Sequence, residues 1–179
     1  MEPQGDIALI GLAVMGRNLI LNMNDHGYTV VAHNRTAARV DEFLAGEANG
    51  TNVIGARTIP EMVAHLKRPR RVMLLVKAGQ PVDDFIEKLL PHLAPGDIII
   101  DGGNSHFPDT IRRTAEVEAR GLRFIGTGVS GGEEGARLGP SLMPGGSESA
   151  WGAVTASFQA IAAQVGEANE PSCDWVGPD

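Results

Sequence analysis

The chain has 179 residues, enough to bury a core without disulfide staples, and its single cysteine, Cys173, has no partner within the sequence, which points to a reducing compartment. Its 22 acidic and 15 basic side chains leave a net charge of −7, which repels nucleic acid and anionic membrane surfaces at long range. No Cys/His cluster has metal-ligand spacing, the N-terminus lacks a basic region followed by an apolar core, and no apolar run is long enough to cross a bilayer. The expectation is a soluble, cytoplasmic protein without a bound metal.

The apolar run 7–10 predicts a strand and 17–26 a helix, joined by Gly11, Leu12, Ala13, Val14, Met15 and Gly16. A strand that ends at glycine and re-enters as a helix aims unpaired backbone N–H groups and the positive end of the helix dipole at one point, which suits a pyrophosphate. Gly11 permits the tight turn and Gly16 lets helix and strand pack closely, while Ala13 replaces the middle glycine of G-x-G-x-x-G. Glycine turns between strand and helix also occur for purely structural reasons.

Gly27 stops that helix, and 28–32 forms a second strand. It ends at His33-Asn34-Arg35-Thr36, where NAD-binding folds commonly place an acidic residue on the ribose diol; here there is none. Asn34, Arg35 and Thr36 suit a 2′-phosphate instead, which a guanidinium grips bidentately, and this shifts the expected cofactor to NADP. The alternative is a plain Asn-Arg-Thr turn in which Thr36 caps the helix running to Leu44.

A short strand at 52–56 precedes a capping-box helix at Thr58-Ile59-Pro60-Glu61. The basic cluster Lys67-Arg68-Pro69-Arg70-Arg71 reads as a solvated helix end. Runs 71–76 and 97–101 are near-continuously apolar, as strands buried on both faces are, with a helix at 82–93 between them. Helix 108–120, stopped by Gly121, and strand 122–125 complete the alternation. The glycine-rich stretch 126–146 reads as a long functional loop, followed by a helix at 150–165. Such an alternation predicts an α/β fold with a doubly wound, mostly parallel sheet and ligands at the carboxyl ends of its strands.

Lys77-Ala78-Gly79 and Gly102-Gly103-Asn104-Ser105 follow the fourth and fifth of these long strands and so fall at that edge. Asn104 offers a donor and an acceptor, Lys77 is equally an ordinary loop lysine, and Asp101 reads as an acceptor for loop N–H groups. Ser130, Gly131 and Gly132 have the makings of an anion nest. His106 reads as a solvated loop histidine.

Together, Gly-Leu-Ala-Val-Met-Gly at 11–16, Asn-Arg-Thr at 34–36, Val-Lys-Ala at 76–78, Asp-Gly-Gly-Asn-Ser at 101–105 and Gly-Val-Ser-Gly-Gly-Glu-Glu-Gly-Ala-Arg at 128–137, continuing to Met143-Pro144-Gly145-Gly146, closely resemble the decarboxylating 6-phosphogluconate dehydrogenases. The resemblance covers essentially the whole chain and implies a Rossmann-like, NADP-binding domain at 1–179 without the family's C-terminal all-helical domain. It implies that Asn34, Arg35 and Thr36 hold the 2′-phosphate, that 11–16 holds the pyrophosphate, and that Val76, Lys77 and Ala78 line the cofactor. Asn104 is implied to bridge cofactor and substrate, with Ser130, Gly131 and Gly132 near the carboxylate of 6-phosphogluconate. The family oxidises that substrate at C3 and decarboxylates it to ribulose 5-phosphate, in the pentose phosphate pathway, as a homodimer and without a metal. Its catalytic lysine and glutamate lie on the helix after this domain. The only lysines here are Lys67, Lys77 and Lys88, so no catalytic residue is expected within 1–179 and the chain alone is expected to be inactive.

Overall fold

The computed structural model describes residues 2–178, so Met1 and Asp179, the ends of the expected domain, lie outside the described residues. Strand and helix alternate through β1 (Ile7–Ile10), α1 (Val14–Asp25), β2 (Val30–His33), α2 (Ala37–Ala45), β3 (Ile54–Ala56), α3 (Ile59–Ala64), β4 (Arg71–Leu74) and α4 (Gln80–Leu89). They continue with β5 (Ile98–Asp101), α5 (Phe107–Glu118), β6 (Arg123–Ser130), α6 (Gly132–Leu138), β7 (Ser141–Gly146), α7 (Glu148–Ile161) and the small hairpin β8 (Gln164–Val165) and β9 (Glu170–Pro171). Seven strands form one sheet in the order β3-β2-β1-β4-β5-β6-β7, parallel throughout except for the β6–β7 edge pair.

Successive strand residues face opposite sides of a sheet, and here both sides are covered. Ile7, Leu9, Ala32, Met73 and Ile100 pack with Leu19 and Ile20 of α1, Phe43 of α2 and Phe158 of α7. Ala8, Ile10, Val31, Val72 and Ile99 pack with Met62 of α3, Phe85 of α4 and Val117 of α5. This two-sided burial is why the central strands read as unbroken apolar runs rather than alternating ones. The chain winds outward in opposite directions from β1 and β4, which opens a crevice at their carboxyl ends.

The stretch 126–146 is not the irregular loop its composition suggested. β6 runs on to Ser130, four residues beyond Gly126, the partner of the last residue of β5, and then α6 and the antiparallel β7 follow. The glycines misled because they serve packing and turns inside these elements. A Cβ at Gly126 would fall 2.6 Å from Thr110 Cγ2, and Gly131 and Gly132, at φ +131° and +63°, turn β6 into α6. Buried Asn22 of α1 ties the segment down, its amide donating to the carbonyls of Ala136 (3.1 Å) and Ile161 (3.0 Å). The expected helix 150–165 starts at Glu148 and ends at Ile161, because Ala162 is already extended and residues 164–165 enter the hairpin. Residues 172–177 then cover the β7 edge through Leu142 N–H to Ser172 O and Val176 N–H to Pro144 O, both 2.9 Å.

The basic cluster at 67–71 also differs from expectation. It begins three residues after α3 ends, at the amino edge of the sheet, where Lys67 and Arg68 are exposed as expected but Lys67, Arg70 and Arg71 also take partners. Lys67 pairs with Asp6 at 2.9 Å, Arg70 with Asp97 at 3.2 Å, and Arg71 Nε donates to Ala153 O at 2.7 Å. Among the described residues no helix is long and apolar enough to cross a membrane, and no group of three or more His, Cys, Asp and Glu side chains is placed to hold a metal.

Two glycine-to-alanine changes should have opposite signs. Gly152→Ala, exposed on α7 with open space around it, should stabilise by about 0.5–1 kcal/mol through helix propensity. Gly16→Ala would place Cβ 1.8 Å from Gly11 O. It should cost about 1–3 kcal/mol despite the same propensity gain. Urea-unfolding midpoints of the two variants check this; a Gly16→Ala midpoint at or above wild type would mean that α1 is free to move away from β1.

Candidate functional site

At the crevice between β1 and β4 lies a cleft of about 530 Å³, a size suited to a cofactor. Its floor is the turn from β1 into α1. Gly11, at φ +115°, sits where a Cβ would meet Leu75 O at 2.2 Å, so only glycine fits between the two strand ends. Gly16 packs the first turn of α1 on that same turn. The N-cap of α1 is Ala13, no side chain caps the helix, and its first turn holds no acid. The first-turn amides therefore keep their hydrogen-bonding capacity and point, with the dipole, at the cleft.

Asn34, just after β2, organises this turn. Its Oδ1 accepts from Leu12 N–H at 3.0 Å and its Nδ2 donates to Thr36 O at 3.2 Å. Thr36 is the N-cap of α2 by position, but its hydroxyl makes no capping bond, so the plain helix-cap reading of Thr36 is not what the structure shows. The hydroxyl stays free on the cleft wall beside Arg35.

Three cations line the cleft, Arg35, Arg39 and Lys77, and no carboxylate does. Among the described residues none of the three forms an ion pair, in contrast to Lys67 and Arg70. Arg39 escaped the sequence reading. Its signal was there: on a helix starting at Ala37, residue 39 stays in the first turn, on the side from which Arg35 enters. Pro81 and Phe85 of α4, which form the apolar wall opposite, carry no motif and were legible only as helix residues.

Of the other expected site residues, Val76 lines the cleft, while Val14, Met15, Gly16 and Ala78 are not among the residues that line it. Asn104 lies exposed on the loop between β5 and α5. Ser130, Gly131 and Gly132 form the exposed tip where β6 meets α6, with Glu133 and Glu134 occupying the first turn of that helix. Those carboxylates already complement the positive helix end that the glycines would offer to an anion. A second cavity of about 210 Å³, bounded by Asp101, Thr110, Thr127 and Met143, includes neither Asn104 nor the 130–132 tip.

Beneath the Asn104 loop, Asp101 accepts from Gly103 N–H at 3.0 Å and from the Ser105 hydroxyl, the acceptor role expected of it. The buried guanidinium of Arg113 lies alongside, paired through Nε and Nη2 with Asp83 at 2.8 and 3.1 Å. The hydrogen bonds from Arg113, with help from Arg112, hold the Asp83 carboxyl below its ordinary value of 3.8, against a smaller opposing effect of burial. His106 is exposed and leans on Phe107.

A parallel sheet with a glycine turn at its switch point, an uncapped helix start and unpaired cations defines a dinucleotide-binding domain of the dehydrogenase type. Residues 6–177 match the family described as the NAD binding domain of 6-phosphogluconate dehydrogenase, and the chain belongs to that family. The decarboxylating 6-phosphogluconate dehydrogenase of Cunninghamella elegans is 66% identical over 99% of the chain, and that of Homo sapiens 66% over 98%. The chain spans about a third of the length of these relatives, 36% in each case. Plasmodium falciparum 6-phosphogluconate dehydrogenase, solved in apo form, with its cofactor NADP+ and with its substrate 6-phosphogluconate, superposes with a TM-score of 0.90 at 44% identity, over 97% of this chain and 37% of that one. A Mycobacterium tuberculosis 3-hydroxyisobutyrate dehydrogenase shares the fold at a TM-score of 0.76 and 23% identity, over 96% of this chain and 54% of that one.

The Asp83 ion pair predicts an acid sensitivity. A carboxyl whose pKa is lowered on folding stabilises the protein above its unfolded value, and the contribution is lost as pH falls through the folded value. Asp83→Asn should therefore be less stable than wild type near neutral pH and lose less stability than wild type as pH falls below about 4. Urea unfolding at about pH 7 and about pH 3 checks this; parallel losses in both proteins would show that Asp83 titrates as a free carboxylate.

Proposed function

We propose that residues 1–179 bind NADP in the 530 Å³ cleft and form the cofactor half of a decarboxylating 6-phosphogluconate dehydrogenase. The observation that carries this is the set of unpaired cations in a cleft without a carboxylate. The pyrophosphate lies on the turn Gly11–Gly16 against the first turn of α1, where Leu12, Ala13, Val14 and Met15 present backbone rather than charge. The 2′-phosphate lies between Arg35 and the Thr36 hydroxyl, with Arg39 as a further cation and Asn34 holding the turn that supports both. Val76, Lys77 and Ala78 flank the cofactor beyond the pyrophosphate.

In the whole enzyme Asn104 and the tip at Ser130, Gly131 and Gly132 face 6-phosphogluconate. Bound NADP would supply a hydride acceptor for C3, with a base taking the hydroxyl proton; loss of CO2 from the resulting β-keto acid would leave an enediol that an acid protonates to ribulose 5-phosphate. The cleft offers one lysine, Lys77, and no carboxylate. In this reading the base, the acid and the homodimer contacts come from the part of the whole enzyme that residues 1–179 do not cover, and a cytoplasmic setting suits the reduced, buried Cys173.

Calorimetric titration with NADP and NAD tests the cofactor assignment. NADP should bind the more tightly, and Arg35→Glu should weaken NADP by about tenfold or more while leaving NAD nearly unchanged, since charge-assisted contacts to phosphate are the strong ones. Arg39→Glu should give a smaller loss in the same direction. Equal losses for both dinucleotides would overturn the 2′-phosphate assignment. Mixed with NADP and 6-phosphogluconate, the chain alone should produce no NADPH; turnover would place an acid and a base within 1–179.

A further inference from the structure

Arg113 is only 1% exposed, and burying its charge carries a desolvation cost of several kcal/mol before any partner repays it. What it joins is unusual for a packing residue. Nε and Nη2 clasp Asp83 of α4, Nη2 also donates to Gly79 O at 3.1 Å, and Nη1 donates to Ser105 Oγ at 3.3 Å and stands 3.5 Å from Asp101 Oδ2. One planar guanidinium thus spans the loop that follows β4, carrying Val76, Lys77 and Ala78, and the loop that follows β5, carrying Asn104. The two loops abut: a Cβ on Gly103 would lie 3.0 Å from Val76 O. The same anchor continues into the second loop through Asp101, which accepts from Gly103 N–H and from the Ser105 hydroxyl on either side of Asn104.

We propose that Arg113 is a positioning residue that locks the loop 76–79 and the loop 102–105 into one unit and so sets Asn104 against the nicotinamide half of the cofactor. The proposal rests on the cleft being the NADP site. Arg113 lines neither the cleft nor the second cavity; it acts through Gly79, Asp101 and Ser105. A fork of donors is needed for this. A lysine at 113 keeps the charge but not the planar geometry that reaches both loops at once. Arg112 provides the internal comparison, since it also pairs with Asp83, at 3.0 Å, but from the exposed side and with no bond to either loop.

The test compares NADP with 2′,5′-ADP, which carries the 2′-phosphate and lacks the nicotinamide half. Arg113→Lys should weaken NADP by about tenfold and 2′,5′-ADP by less than about twofold, whereas Arg112→Met should leave the ratio of the two affinities at its wild-type value. Equal weakening of both ligands by Arg113→Lys, or no change in NADP, overturns the proposal. If Arg113→Lys does not fold, Ser105→Ala, which cuts one link at the Asn104 end, is read on the same ratio with the same two outcomes.

Failure of the wild-type chain to bind 2′,5′-ADP would count against the NADP reading itself, and a second measurement without ligand then decides the coupling. Asp83 contacts nothing in the loop 102–105. Asp83→Asn should nonetheless speed hydrogen exchange at the bonded amides of Gly102 and Gly103 relative to core amides of β1. Unchanged relative protection there would overturn the positioning role, whatever binds in the cleft.

Discussion

The contact between Gly16 and the Gly11 carbonyl is the constraint on which the rest of the site depends. With no side chain at either position, the first turn of α1 settles onto the end of β1, closer than any Cβ would allow. That approach puts the uncapped helix end at the mouth of the crevice instead of several ångströms above it. The β4 end closes on the same turn through Leu75 O, leaving room at Gly11 for no other residue. Helix placement, the uncapped face of α1 and the switch point are therefore one geometric fact. Asn34 extends it sideways, because its bond to Leu12 N–H joins the end of β2 to the turn, and Arg35 and Thr36 follow from there along the cleft wall.

The molecule treats its cations in two ways, and the difference follows the sheet. At the amino edge Lys67, Arg70 and Arg71 are matched to Asp6, Asp97 and a backbone carbonyl, so they hold loops to strand starts. At the carboxyl edge Arg35, Arg39 and Lys77 are left without carboxylate partners around one cleft. An acidic chain that gathers three cations without carboxylate partners around one cleft has created a local field opposite in sign to its net charge. Arg113 belongs to neither group. It is buried and fully satisfied, an arrangement that contributes specificity of geometry more than stability, since an apolar side chain of similar volume would avoid the desolvation.

The central alternation was readable in the sequence because two-sided burial leaves an unambiguous trace: 71–76 and 97–101 have no polar face to confuse with a helix. The turn at 11–16 was readable for a related reason, since glycine at both ends is a backbone requirement rather than a preference. The stretch 126–146 was misread because glycine has two uses that composition does not separate, permitting positive φ at 131 and 132 and making room for Thr110 at 126. Arg113 was invisible because its role comes from partners 8 to 34 residues away, a relation set by the packing of α5 on α4 and β5. Arg39 fell between these cases: its helix was expected, but which face of that helix borders the cleft depends on how α2 meets β2.

The choice between the two dinucleotides turns on an acceptor that is missing. A ribose 2′-hydroxyl is recognised where a carboxylate at the end of β2 takes its proton. Here no carboxylate stands at that place: Asn34 Oδ1 is already engaged by Leu12 N–H, the Asn34 amide is directed to Thr36 O, and the remaining side-chain acceptor is the neutral Thr36 hydroxyl. A free 2′-hydroxyl would find no charged acceptor for its proton there, only the neutral Thr36 hydroxyl and guanidinium groups, which have only donors to offer. A 2′-phosphate has only acceptors to present, and it meets Arg35, Arg39 and an uncommitted Thr36 hydroxyl. The preference for NADP in this reading is thus built from a favourable match for the phosphate together with the lack of a carboxylate for the free hydroxyl. The first side is the stronger, because Arg35, Thr36 and Arg39 are exposed and stay hydrated when no phosphate is present, whereas charge-assisted bonds to a phosphate add directly to its binding.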